Sequence, residues 1–284
     1  MWVKLPLHGH PYDATPLKCY GKCGHHNEHL GPLPTVIKEF YMKVEKNIVI
    51  SEFIVNMYDP HYGQDNSHVD IPAKTKTQAE SLSQFHVPYY VLTNSESQES
   101  DTGAHIVHMD LFSHYPNLTL YFHRILMAFE FLQKHPEIEK AALTDAGDVT
   151  MLNYPFDKVE EGILYMGDES FYIFATPVIT WHKDLQCIED FIRENGLLPT
   201  LNLGVMVGTR AVLIEYLGIM VKIITDAQLK ISQGDDAYQL SDVEMAISNY
   251  VAYKYFGERL IHGREVTTIM DGYQEPSSAW FKHK

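Results

Sequence analysis

The chain predicts an α/β domain: a mostly parallel, mixed central sheet flanked by helices, preceded by an irregular N-terminal extension. Two observations carry this. Short β-branched runs alternate with helical apolar periodicity, the pattern of strand–helix units with a parallel sheet. The 284 residues are 45% hydrophobic and 12% aromatic, with 18 Tyr, enough to bury one large core and too few for two independent domains.

Residues 1–48 read as an extension wrapped on the core, with Pro6, Pro11, Pro16, Pro32 and Pro34 and many His and Gly. Cys19, Cys23, His25, His26 and His29 within it could hold a structural zinc; a plain polar loop is the simpler reading of their irregular spacing. The main domain is expected over residues 49–284. Residues 47–57 (NIVISEFIVNM) form a buried strand. A Pro/Gly/Asp/His loop runs to about residue 76, followed by a short helix over 78–84. Strands are expected at 89–92 and 105–109, with a loop over 95–103. Residues 121–134 give the clearest helix, because Phe122, Ile125, Leu126, Phe129 and Leu132 share one face. Pro136 ends it. Strands follow at 140–144 and 162–166, and helices at 211–224 and 242–256.

Lys and Arg total 22 against 37 Asp and Glu, a formal charge of -15. Such a surface repels phosphate backbones, so nucleic acid is excluded as a general partner. A phosphate-bearing ligand needs a local cation to enter. No run approaches the roughly 20 apolar residues of a membrane span. The first residues lack a signal peptide's apolar middle, and three Cys are too few for a disulfide framework. A cytoplasmic location is the expectation. A homodimer stays open, since nothing in the sequence sets the oligomeric state.

The strongest chemical signal is residues 141–149 (AALTDAGDV), where an apolar strand runs into Asp145 and Asp148 across Ala146 and Gly147. Small residues allow a sharp turn and close ligand approach. Two hard oxygens there suit Mg²⁺ or Mn²⁺ bridging phosphates. The ordinary alternative is a polar turn with Asp148 as a cap.

The stretch LTDAGDVTMLNYPF (143–156) resembles the aspartate motif of GT-A fold glycosyltransferases, a Rossmann-type fold. NLGVMVG (202–208) is similar to the Asn-x-Gly-Val strand of its glycogenin-like branch. The resemblance covers about residues 49–270. It departs from the commoner Asp-x-Asp spacing, which leaves open which carboxylate touches the metal. It implies a metal-dependent hexosyl- or pentosyltransferase of glycan biosynthesis, moving sugar from a nucleotide diphosphate, most simply a UDP-sugar, to a hydroxyl of a glycan or glycoprotein acceptor. By resemblance, Asp148 coordinates the metal, Asp145 coordinates it or holds the donor, and His262 is a third ligand or a structural histidine. Tyr58, Asp59 and Arg124 fall where the fold keeps nucleotide-binding elements; Arg124 would reach inward to phosphate or to Asp145, since its fork suits both, with a surface role the alternative. Asn202 and Gly204 would line the donor sugar, or simply end a strand.

Ser241 and Glu244 form a capping-box pattern that places Asp242 in a first helical turn, as general base or plain cap. Asp236 and Asp235 rival it, as do Asp168 and Glu169. Trp181 and His182 could form an acceptor platform, or Trp181 could be core. Two other functions share the sheet and the acidic turn. A nucleotidyltransferase or pyrophosphorylase would carry a Gly-rich loop after the first strand, which 58–64 (YDPHYGQ) is not. A non-catalytic nucleotide-sugar binding protein would use the turn structurally.

Overall fold

The computed structural model describes residues 43–284, apart from positions 68, 97, 116, 182, 236, 269–271, 273 and 274. Cys19, Cys23, His25, His26 and His29, and with them the zinc reading, lie outside the described residues, as do Asp236 and His182.

In chain order the elements are β1 (Asn47–Glu52), β2 (Tyr58–Asp59), β3 (Gln64–Asp65), α1 (Ile71–Ser83), β4 (Tyr89–Thr93), β5 (Gln98–Glu99), β6 (Ala104–His108), α2 (Leu120–Lys134), β7 (Lys140–Asp145), β8 (Val149–Met151), β9 (Leu164–Tyr172), α3 (Pro177–Thr180), α4 (Gln186–Asn195), β10 (Pro199–Thr209), α5 (Arg210–Ser232), α6 (Met245–Phe256), β11 (Leu260–His262) and β12 (Phe281–His283). The central sheet has the order β11-β9-β10-β7-β1-β4-β6-β5. From β7 through β6 all neighbours run parallel. The long strand β10 runs antiparallel to both β7 and β9, so the sheet is mixed, as expected.

Both faces of β1 are covered. Ile48, Val49 and Ile50 are all wholly buried, as a strand between two layers of helix requires. On one face, Val49, Val91 and Val205 join Leu82 of α1 and Trp280 in one apolar cluster. On the other, α2, α5 and α6 pack together. Residues 43–48 belong with this body and not with an extension: Val44 is buried, and the Lys46 carbonyl accepts from the Glu139 amide. Among the described residues no helix is long and apolar enough to cross a membrane.

The strand order explains where a ligand can go. The chain moves from β1 outward to β4 and β6, then returns to place β7 on the other side of β1. A crevice opens at the carboxyl ends of such a pair. The β1/β7 register sets Glu52 beside Asp145 at that crevice.

Several elements differ from expectation. Helix α1 begins at Ile71, not 78, because Asp70 caps it, accepting from the Ala73 amide at 3.0 Å, and Pro72 fits its first turn. Helix α6 begins at Met245, not 242. Ser241 does not cap it: its Oγ accepts from the Val243 amide, and the Glu244 carboxylate turns inward to Arg124. A buried cation outcompetes the local cap. Strand β9 runs six residues past Met166, ending at Tyr172, because the long β10 gives it a partner.

Candidate functional site

Glu52, Asp145 and Asp148 line a cavity of about 320 Å³ at the crevice, together with Asp59, Tyr62, Arg124, Glu169, Asn202, Gly204, Glu244 and Lys284. Asp145 ends β7, and a positive φ at Gly147 turns the chain back so that Asp148 faces the same space.

The third member of the group comes from the other end of the chain. Strand β12 pairs with β8, setting His283 opposite Val149, next to Asp148. His283 Nε2 lies 3.5 Å from Asp145 Oδ2 and 3.9 Å from Asp148 Oδ1. One ligand atom from each of Asp145, Asp148 and His283 lies within 4.8 Å of the others. Two opposed ligands at the ~2.1 Å bonds of Mg²⁺ span about 4.2 Å; the 3.5 Å and 3.9 Å from His283 Nε2 to the two carboxylates fall inside that span, and a small side-chain adjustment would let all three hold a divalent cation. A second observation agrees. His283 is buried, and among the described residues its Nε2 makes no close hydrogen bond, its nearest carboxylate being Asp145 at 3.5 Å, which leaves the nitrogen open to a cation.

Gly204 makes room for this histidine. It lies where the β10/β9 register shifts between Asn202 and Met206. A Cβ there would stand 2.2 Å from His283 Cε1 and 2.7 Å from Nε2. Gly204→Ala should therefore push the ring off the aspartates and weaken Mn²⁺ binding at least ~10-fold, with the fold kept. Calorimetric titration with Mn²⁺ measures this; wild-type affinity would show that the imidazole is not a ligand.

Arg124 reaches from α2 beneath the turn. Its Nη2 donates to Asp145 Oδ1 at 2.7 Å, its Nε approaches Glu52 Oε2 at 3.4 Å, and Nη1 lies 3.6 Å from Glu244 Oε1. Three carboxylates thus occupy one guanidinium that is only 13% exposed. Burial alone would raise the Asp145 carboxyl, but Arg124 and His283 outweigh it and hold it well below the usual range. Burial pushes Glu52 and Glu244 up to about 7, with Arg124 pulling the other way. Asp148, lacking an Arg partner, is raised by burial and by the charge of Asp145, against His283 and Lys284. Lys284 Nζ lies 3.6 Å from Asp148 Oδ2 and faces the cavity.

The remaining expected residues divide cleanly. Asp59 lines the cavity, and its Oδ1 accepts from the amides of His61 and Tyr62 and from the Tyr121 hydroxyl, which fixes its own loop. Asn202 is buried, donating to Glu169 Oε1 at 2.5 Å and accepting from the Gly204 amide at 2.6 Å. Tyr58 points away, 66% exposed and outside the cavity lining. His262 is not in the metal group: its Nδ1 lies 3.1 Å from Asp168 Oδ2, and Arg264 pairs with the same Asp168. Asp242 is exposed and lies outside the cavity and the helix. Asp235 accepts from the Ala237 amide and also lies outside it. Trp181 is 79% exposed and is not core.

The sequence reading missed Glu52, Glu244, His283 and Lys284. Glu52 closes a buried strand, and Glu244 looked like a cap. A signal for His283 did exist: two large aromatics, Trp280 and Phe281, just before it mark a tail that must bury itself. No protein-family model matches the chain, and a search of curated proteins returns no match.

Proposed function

We propose that this chain is a metal-dependent glycosyltransferase that moves a sugar from a nucleotide diphosphate, a UDP-sugar, to a hydroxyl of a glycan acceptor. The observation that carries the reading is the meeting of the buried His283 with Asp145 and Asp148, two carboxylates that line a cavity at the carboxyl ends of parallel strands. Asp145, Asp148 and His283 would hold a divalent cation, which would supply positive charge against a leaving nucleotide diphosphate. The mixed oxygen and imidazole set favours Mn²⁺ over Mg²⁺.

The chain's own residues supply the rest. Lys284 faces the diphosphate as a second positive charge. Arg124, occupied by three carboxylates, holds Asp145 ionised and oriented instead of binding phosphate itself. Asn202 and Glu169 form a polar wall for sugar hydroxyls. An inverting transfer would use Glu169 as base in preference to Asp242, because Glu169 lines the cavity and Asp242 does not.

The test is a donor-hydrolysis screen over UDP- and GDP-sugars, with and without Mn²⁺. Hydrolysis of at least one UDP-sugar that chelation abolishes is the expected result. Metal-independent turnover, or no binding of any UDP-sugar in the presence of Mn²⁺, would remove the proposal.

A further inference from the structure

Beneath the acidic turn lies a closed set of four buried polar side chains, and its centre is Gln78 of α1. Gln78, Ser51, Thr144 and Tyr89 are each almost wholly buried. Gln78 Nε2 donates to Thr144 Oγ1 at 2.6 Å, and Thr144 Oγ1 meets Ser51 Oγ at 2.8 Å. The Tyr89 hydroxyl donates to Gln78 Oε1 at 2.8 Å and approaches Ser51 Oγ at 3.0 Å. Gln78 Oε1 also accepts from the Gly147 amide at 3.2 Å.

That last bond links the network to function. Thr144 precedes Asp145, and Gly147 precedes Asp148, so one side-chain amide grips the turn on both sides of its bend. A side-chain amide meets both needs at once, its Nε2 donating to Thr144 while its Oε1 accepts from Gly147 and Tyr89. The rest of α1 supports the same hairpin. The Lys74 carbonyl would lie 2.8 Å from a Cβ at Gly147, so helix and turn are in direct contact there. One turn beyond Gln78, Ser81 Oγ accepts from the Met151 amide at 3.0 Å. The helix therefore splints residues 144–151 from below, while β12 brings His283 from the side.

We infer that Gln78 is a positioning residue, which sets the spacing of Asp145 and Asp148 by fixing the backbone between them. The inference rests on the metal reading of those aspartates for its purpose, but its geometry stands without it. Gln78 touches neither cation nor substrate; it acts through Thr144 and Gly147.

The experiment compares Gln78→Met with Leu82→Ala. Leu82 is buried on the same helix, and its apolar side chain makes no hydrogen bond, so its truncation loosens α1 while the Gln78 bonds to Thr144 and Gly147 stay in place. Amide exchange at Gly147 and Mn²⁺ affinity are both measured, at a temperature where each variant is folded. In Gln78→Met the Gly147 amide should exchange about 10-fold faster, and Mn²⁺ affinity should fall about 10-fold. Leu82→Ala should leave both at wild-type values despite its lower melting temperature. If Gln78→Met does not fold, Gln78→Asn is read the same way, since its amide is one methylene too short to reach both partners. Unchanged Gly147 exchange, or equal changes in the Leu82 control, would overturn the inference. If wild type itself binds no Mn²⁺, the metal reading falls, and Gly147 exchange still decides whether Gln78 sets the turn.

Discussion

Asp148→Ala should lower metal-dependent donor turnover by at least about 100-fold, the usual cost of removing a preorganised electrostatic element worth ~3 kcal/mol. His283→Ala should cause a loss of the same order. The two should not be additive, because a cation missing either partner is already misplaced. The Asp148 change should not harm the fold much. Asp148 is partly exposed, and its carboxyl is raised by burial and by Asp145, so removing it relieves a strained charge. Circular dichroism and melting should therefore stay close to wild type while turnover and Mn²⁺ titration collapse. A folded Asp148→Ala protein that still hydrolyses donor at the wild-type rate would separate the acidic turn from catalysis.

Arg124→Met should have the largest effect on stability. The guanidinium balances Asp145, Glu52 and Glu244 at once, and all three carboxylates are at least three-quarters shielded from solvent. Removing one partner of a buried ion group costs on the order of 3–5 kcal/mol, because the remaining charges lose their compensation. The loss should depend on pH in a defined direction. Glu52 and Glu244 already sit near 7 against an ordinary value of 4.5, and without Arg124 they rise further. A carboxyl raised by folding binds its proton more tightly in the folded state. Its penalty is absent below about 4.5 and grows as pH climbs through the folded value. Asp145 works the opposite way. Its depressed carboxyl stabilises the fold above its ordinary range and loses that contribution as pH falls, so part of the defect persists at pH 5. Urea melts should find Arg124→Met much weaker than wild type at pH 8 and less so at pH 5. Equal deficits at both values would mean that Glu52 and Glu244 do not draw on Arg124.

The three-way contact of Arg124 also decides between the two inward roles open to it. From the sequence, an Arg on an amphipathic helix near an acidic turn suits phosphate or Asp145 equally. The fold surrounds it with carboxylates drawn from β1, β7 and the start of α6, so its charge is already balanced before any ligand arrives.

Local pattern alone was enough for the strand–helix alternation, the helix over 121–134, the strand entering Asp145 and the pairing of two carboxylates across a small-residue turn. These depend on periodicity and on turn chemistry, which act within a few residues. Tertiary structure alone decided that His283 and not His262 joins the aspartates, that Lys284 faces the cavity, that Gly204 clears space for an imidazole, and that Gln78 holds the turn from below. Each of those contacts joins segments far apart in the chain. Strand order and register select such partners, and no spacing rule along a single segment encodes them.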